Sequence, residues 1–462
     1  MKVKPLTVFS ALSALSLAHA ASLTSKHPKA CNPIYSKREA GGTKPPTIQF
    51  NWTESVKEDN SVHVVFYDWR EQSLLGLERE DGSIAYVCDE DAVEKDQLCS
   101  RNQLGDFLWN NTNARTLKQF NVTKEEDYAS AIYEVPSTGY YCALSRSHKE
   151  EEDYAATVSW NNPYGRLDAS QFPRYPTSCG LTIAYSVILT MWMFYQFQYR
   201  SNMLPVQHTI RWLLIFCIVD QAINSWVFDA QNRTGTTFAI HFGQFVMSIL
   251  FALRMVIDLG ILFSISLGFT RQLILYLEQI RAKYAMQFSV LFPVLFMTRF
   301  CALVTQPYKL NFFYVILLAV QSGVVLYLLY EMFVLLGIRI QRSLEQRKFA
   351  VRQNYRIVRG LVILLAFFFA FLFIVNVSIG VQSRDKVANK FWKVQWFYVD
   401  GWLDVLHLFI IITISFLWKP SPKNQQLDYL DMDTGFALPS DMEEELDLFD
   451  ESETQDEQNS EI

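Results

Sequence analysis

Residues 361–381 read LVILLAFFFAFLFIVNVSIGV, twenty-one residues without a charge. As a helix this stretch rises about 32 Å, enough to cross the roughly 30 Å hydrocarbon core of a bilayer. Five further apolar stretches precede it, at 181–197, 212–228, 239–269, 288–304 and 312–337, and one follows at 396–418. Within lipid a segment must satisfy its own backbone groups, so the pattern predicts an all-α seven-transmembrane-helix bundle over residues 176–420. The third stretch is the outlier. At 31 residues it would rise about 46 Å, so it must tilt, protrude or break.

Ahead of the bundle, residues 1–20 carry Lys2 and Lys4, an apolar run and the small-residue end Ala18-His19-Ala20. This reads as a secretory signal peptide cleaved after Ala20. Residues 21–175 would then enter the lumen. Short β-branched and aromatic runs recur there at 47–52, 62–67, 84–88, 131–135, 140–144 and 155–160, predicting an antiparallel β-sandwich, with helix expected only around 103–108.

Four cysteines fall in this domain, Cys31, Cys88, Cys99 and Cys142. In an oxidising lumen an even count reads as two disulfides, with three pairings open. Cys31 with Cys142 and Cys88 with Cys99 is favoured, because it pins the start of the domain to a late strand and closes a small acidic loop. The spacing is not that of a zinc site. Cys179 sits at the membrane edge, and Cys217 and Cys301 read as small buried thiols within spans. Asn-x-Thr sequons begin at Asn51, Asn110, Asn121 and Asn232, all on the predicted luminal side; Asn376-Val377-Ser378 lies inside a span.

Seven crossings from a luminal start leave the C-terminus in the cytosol. Arg339, Arg342, Arg347, Lys348, Arg352, Arg356 and Arg359, between the fifth and sixth spans, agree with the positive-inside rule. Arg384, Lys386, Lys390 and Lys393, before the last span, oppose it.

Ionisable groups inside spans are costly and are functional candidates. Arg254 and Asp258 share a face of the third span four residues apart, and Asp400, Asp404 and His407 form a stripe on the seventh. Asp220, Gln221 and Asn224 make a polar patch on the second, Arg299 lies on the fourth and Glu331 on the fifth. Interhelical salt bridges that fix the bundle are the simplest role for these groups; cation transport or proton relay is the sharper one. The chain has no Gly-x-Ser-x-Gly, no His-Glu-x-x-His and no phosphate-cradling loop, so no enzyme activity, cofactor or nucleic-acid partner is expected.

Several motifs in order carry a family likeness: Cys31-Asn32-Pro33-Ile34-Tyr35-Ser36-Lys37 with Gly41-Gly42, Tyr86-Val87-Cys88-Asp89, Gly139-Tyr140-Tyr141-Cys142, Asn162-Pro163-Tyr164-Gly165, Ser266-Leu267-Gly268-Phe269 and Leu417-Trp418-Lys419-Pro420-Ser421. Together they resemble the lung seven-transmembrane receptor family, or GOST group, in a fungal-like version, from about residue 31 to 421. The resemblance implies a luminal Golgi-dynamics (GOLD-like) β-sandwich on a seven-helix bundle, a Cys31–Cys142 disulfide, residence in Golgi membranes and a part in vesicle-mediated transport. Some relatives are proposed to conduct cations and others to escort cargo. A hormone-type receptor is disfavoured, since the third span ends Leu267-Gly268-Phe269-Thr270-Arg271 and the seventh lacks Asn-Pro-x-x-Tyr.

The net charge of -6 conceals a split: residues 424–462 hold no Lys or Arg and carry -14, leaving +8 for the rest. Such a tail, 421–462 by this reading, is expected to be a disordered cytosolic segment. Within it Tyr429-Leu430-Asp431-Met432 fits a Tyr-x-x-bulky adaptor signal, and Ser440, Ser452 and Thr454 suit an acid-directed kinase. The expected partners are membrane lipid, a luminal cargo protein or lipid, a coat adaptor and that kinase.

Overall fold

The computed structural model describes residues 20–55, 61–110, 114–123, 130–147, 154–200, 203–235, 237–267, 287–304, 312–345, 349–381, 384–397 and 401–421. The expected leader up to residue 19, Asp400, and the tail with Tyr429 and Met432 lie outside the described residues.

Among the described residues, ten strands precede the long helices: β1 Ala20–Thr24, β2 Lys29–Ile34, β3 Thr47–Ser55, β4 Ser61–Asp68, β5 Leu77–Glu78, β6 Ile84–Ala85, β7 Lys118–Thr123, β8 Ser130–Glu134, β9 Gly139–Ser147 and β10 Tyr154–Asn161. They form two antiparallel sheets, ordered β1-β10-β3-β8 and β2-β9-β4-β7, with β5-β6 as a separate hairpin. Between the sheets lie Ile48, Phe50, Val64, Phe66, Tyr141, Val158 and Trp160. β10 alternates buried and half-buried residues along its length, as expected of a strand with one face on the core. β4 does not alternate. It is buried on both faces, because Val65 and Tyr67 on its outer side are covered by Leu75, Val87 and Phe107.

Both favoured disulfides are present. Cys31 and Cys142 face each other in the β2-β9 register, and Cys88–Cys99 closes a lobe containing the helical turn Glu90–Glu94. The helix expected around 103–108 is absent. Only one 3-10 turn forms, Arg101–Gln103, since Gly105 takes a left-handed φ of 90° that ends any helix.

The bundle comprises α1 Arg174–Gln198, α2 Pro205–Thr234, α3 Phe238–Ser266, α4 Phe292–Val304, α5 Phe312–Glu345, α6 Phe349–Val381, α7 Arg384–Trp396 and α8 Trp402–Leu417. Pro205 opens α2, where its missing N–H costs no helical bond. A π-helical turn, Gln287–Leu291, leads into α4 just before Pro293, which has no N–H to return to the preceding turn. Five of these helices contain spans long and apolar enough to cross a membrane, and two shorter apolar segments, Ser289–Cys301 and Trp402–Leu417, complete seven. The third span does not break: α3 runs unbroken for 29 residues, a rise of about 44 Å. Two basic segments read as loops are largely helical. Arg339 and Arg342 extend α5, Arg352, Arg356 and Arg359 begin α6, and Arg384, Lys386, Lys390 and Lys393 belong to α7.

Candidate functional site

The strand domain is seated on the bundle by a joint built from the motif residues. Gly42 approaches Pro163 so closely that a Cβ would lie 2.2 Å from the Pro163 carbonyl oxygen. Gly165, at a φ of 145°, leaves the same kind of space for Asn232. Asn232, in the last turn of α2, donates Nδ2 to the Tyr164 carbonyl at 2.9 Å and accepts the Leu167 N–H on Oδ1 at 3.1 Å. Its own carbonyl accepts the Arg166 N–H at 3.0 Å. The nitrogen that a glycan would occupy thus already donates within the joint. By contrast Asn110 and Asn121 are exposed, and Asn51 is half-buried on an inner strand.

Aromatic side chains fill the joint. Tyr164 stacks on Phe172 at 3.7 Å, and Tyr35 meets the edge of Trp392 on α7 at 5.0 Å. Burial pushes the Tyr164 phenol far above its ordinary value, so it is neutral at every physiological pH. Beside it Lys393 Nζ donates to Glu39 at 3.0 Å, and that hydrogen bond holds the Glu39 carboxyl below the usual carboxylate range.

Within the bundle, the candidate polar residues assemble differently from their helix-face spacing. Arg254 does not pair with Asp258. Its Nη1 donates to Asp220 on α2 at 2.9 Å and its Nη2 to Asp404 on α8 at 2.5 Å, so one guanidinium joins three helices. Asn224 and Gln221 also donate to Asp220, at 3.2 and 3.3 Å. Asp404 lies in the first turn of α8, where the helix dipole favours a carboxylate. His407, three residues on, turns instead to Asp258, with Nε2 3.0 Å from Oδ1.

Two further side chains complete the network: Tyr185 of α1, whose hydroxyl is 3.1 Å from His407 Nδ1, and Cys217 of α2, whose Sγ is 3.8 Å from Nε2. Nothing in the sequence marked either, one being an aromatic in an apolar span and the other a small thiol. Arg299 lies over the Phe251 ring at 4.6 Å, the ring that Arg254 also contacts at 4.7 Å. Glu331 is half-buried on α5.

The network adjoins a half-open cavity between α3, α6 and α8, of about 50 Å³. On the opposite end of the bundle, the chain leaving α8 is also held. The Trp418 carbonyl accepts Gln207 Nε2 at 3.1 Å and Lys419 lies over Tyr195 at 3.7 Å, while the Leu267 carbonyl accepts from Arg339 Nη2. A polar group facing hydrocarbon costs several kcal/mol unless paired, so this arrangement can fix the register of α2, α3 and α8.

Comparison with known proteins agrees on both halves. Residues 27–162 match the PTM1-like N-terminal domain family and residues 173–425 the GOST seven transmembrane domain family. An uncharacterized membrane protein of Schizosaccharomyces pombe is 38% identical, over 93% of this chain and 93% of its own length. A second uncharacterized protein of that yeast is 24% identical over 91% of this chain and 81% of its own. Membrane protein PTM1 of Saccharomyces cerevisiae is 23% identical over 88% and 80%.

Proposed function

The chain belongs to the GOST seven-transmembrane family, with a PTM1-like N-terminal domain, and from that premise we propose that it serves membrane trafficking in the Golgi and endosomes. The β-sandwich faces the lumen and recognises cargo protein or lipid, and the acidic tail presents Tyr429 and Met432 to a coat adaptor in the cytosol. The protein acts without catalysis of its own. The observation that carries this reading is the seating of the head: Tyr35 and Glu39 contact α7, and the chain then runs through α8 to the tail. A load on the head thus bears on the helix nearest the sorting signal.

The signal-like residues 1–20, the sequons Asn51, Asn110 and Asn121, and the basic residues shared by α5 and α6 support this orientation. Cation conduction, the rival reading, is disfavoured because Arg254 ties two of the intramembrane carboxylates into fixed pairs. The test is to follow steady-state location in cells after deletion of residues 424–462 and, separately, after Tyr429→Ala. Displacement from the Golgi in both supports the proposal; unchanged location in both removes the tail from the mechanism. Protease protection in sealed vesicles tests the orientation, which requires the tail to be cleaved and the head spared.

A further inference from the structure

We propose that the cleft between α3, α6 and α8 binds a protonated amine carried on a hydrocarbon chain. Its walls are apolar, formed by Leu262 of α3, Leu365 and Phe369 of α6, and Leu406 and Ile410 of α8. Only Arg254, Asp258 and His407 bring polar atoms to it. Arg254 is not available to an anion, because both terminal nitrogens are committed to Asp220 and Asp404. Three carboxylates, Asp220, Asp258 and Asp404, stand against the guanidinium of Arg254 and that of Arg299 on the shared Phe251 ring, so carboxylates are in excess.

That surplus falls on the cleft side of the network. Asp258 Oδ1 lies near His407 Nε2, yet no hydrogen-bond donor is aligned on it. If Tyr185 donates to His407 Nδ1, the imidazole has one proton left, on Nε2, between Cys217 and Asp258. A buried carboxylate with unfilled acceptor capacity in apolar surroundings attracts a cation able to donate hydrogen bonds. An ammonium group brings three such donors, and its chain lies against Leu365 and Phe369. A bare metal ion fits less well. Among the described residues no group of three His, Cys, Asp or Glu side chains is placed to hold one.

The cavity volume of about 50 Å³ encloses roughly three or four non-hydrogen atoms, on the measure that one water needs about 10–15 Å³. The head of the ligand is therefore enclosed, and the remainder of its chain continues through the open side. Such an amine has two possible sources, a lipid of the bilayer or a soluble alkylamine.

The experiment uses the full chain in nanodiscs of uncharged lipid and measures binding of radiolabelled dodecylamine above that of empty nanodiscs. Saturable binding near one per protein is expected, weakened at least tenfold by Asp258→Asn and not displaced by dodecanol or dodecanoate. Displacement by propylamine at similar concentration assigns a soluble amine; displacement by unlabelled dodecylamine alone assigns a bilayer amine. Leu365→Trp fills the cleft without touching the ion network and should also abolish binding. Absence of saturable binding, equal displacement by dodecanol, or full retention of binding in either variant overturns the proposal.

Discussion

Replacing Arg254 with Met is the sharpest perturbation of the bundle, because a single change strands two carboxylates. Asp220 is wholly buried, and Asp404 has 19% of its side chain exposed. Removing one partner of a buried pair typically costs about 3–5 kcal/mol, chiefly through the charge left behind. Two orphaned carboxylates place Arg254→Met toward the upper end, moderated at Asp404 by its position in the first turn of α8. Against a total stability of about 5–15 kcal/mol, this is a severe loss. Asp220→Asn should cost less, since Arg254 keeps Asp404 and Asn224 keeps an oxygen to bond. The assay is equilibrium unfolding in mixed micelles, followed by tryptophan fluorescence. Adding Asp220→Asn and Asp404→Asn to Arg254→Met should restore more than half of the loss, as expected when the penalty is stranded charge. A single variant within about 1 kcal/mol of wild type, well below the roughly 3–5 kcal/mol expected on breaking a buried pair, would refute the reasoning, as would a triple variant no better than the single.

Loss of the Cys31–Cys142 bridge, which spans 111 residues, should destabilise the head by about 4–5 kcal/mol, against about 3 kcal/mol for the shorter Cys88–Cys99 loop; thermal melts of the Cys→Ser pairs check the order. Asn51→Gln, Asn110→Gln and Asn121→Gln should each remove one glycan step on a gel, whereas Asn232→Gln should leave mobility unchanged and lower the melting temperature. The Glu39 carboxyl is held low by Lys393. Its contribution is therefore present above the ordinary carboxylate value of about 4.3 and lost only as pH falls through the lower folded value. Crosslinking of the head to α7 should accordingly be constant from about pH 7 to pH 5, the range above both carboxyl values, and a fall across that window would show that another group controls the contact.

The strands legible in the sequence, β3, β4, β6, β8, β9 and β10, carry β-branched and aromatic runs. Four were not: β5 is only two residues long, and β1, β2 and β7 are edge strands, where polar residues and Pro interrupt the apolar alternation. In β2 the run is Lys29-Ala30-Cys31-Asn32-Pro33-Ile34, and in β7 Lys118-Gln119-Phe120-Asn121-Val122-Thr123. The disulfides were legible because few pairings existed. Most members of the bundle network were identifiable as charges in apolar runs, but their partners were not. Helix spacing places Arg254 and Asp258 on one face, while which neighbour each meets depends on how α2 and α8 cross α3, a property of packing that no single segment encodes.

The joint at Asn232 has a consequence for the order of assembly. The sandwich and its Cys31–Cys142 staple are complete by Asn161, but their seat needs Asn232, some seventy residues later, and Trp392 far beyond that. During synthesis the nascent head must wait, with Tyr35, Tyr164 and Phe172 uncovered, until the second and seventh helices arrive. A fragment cut at residue 175 would hold that sticky aromatic face permanently bare, a natural handle for chaperones and quality-control factors on every molecule whose membrane half has not finished inserting.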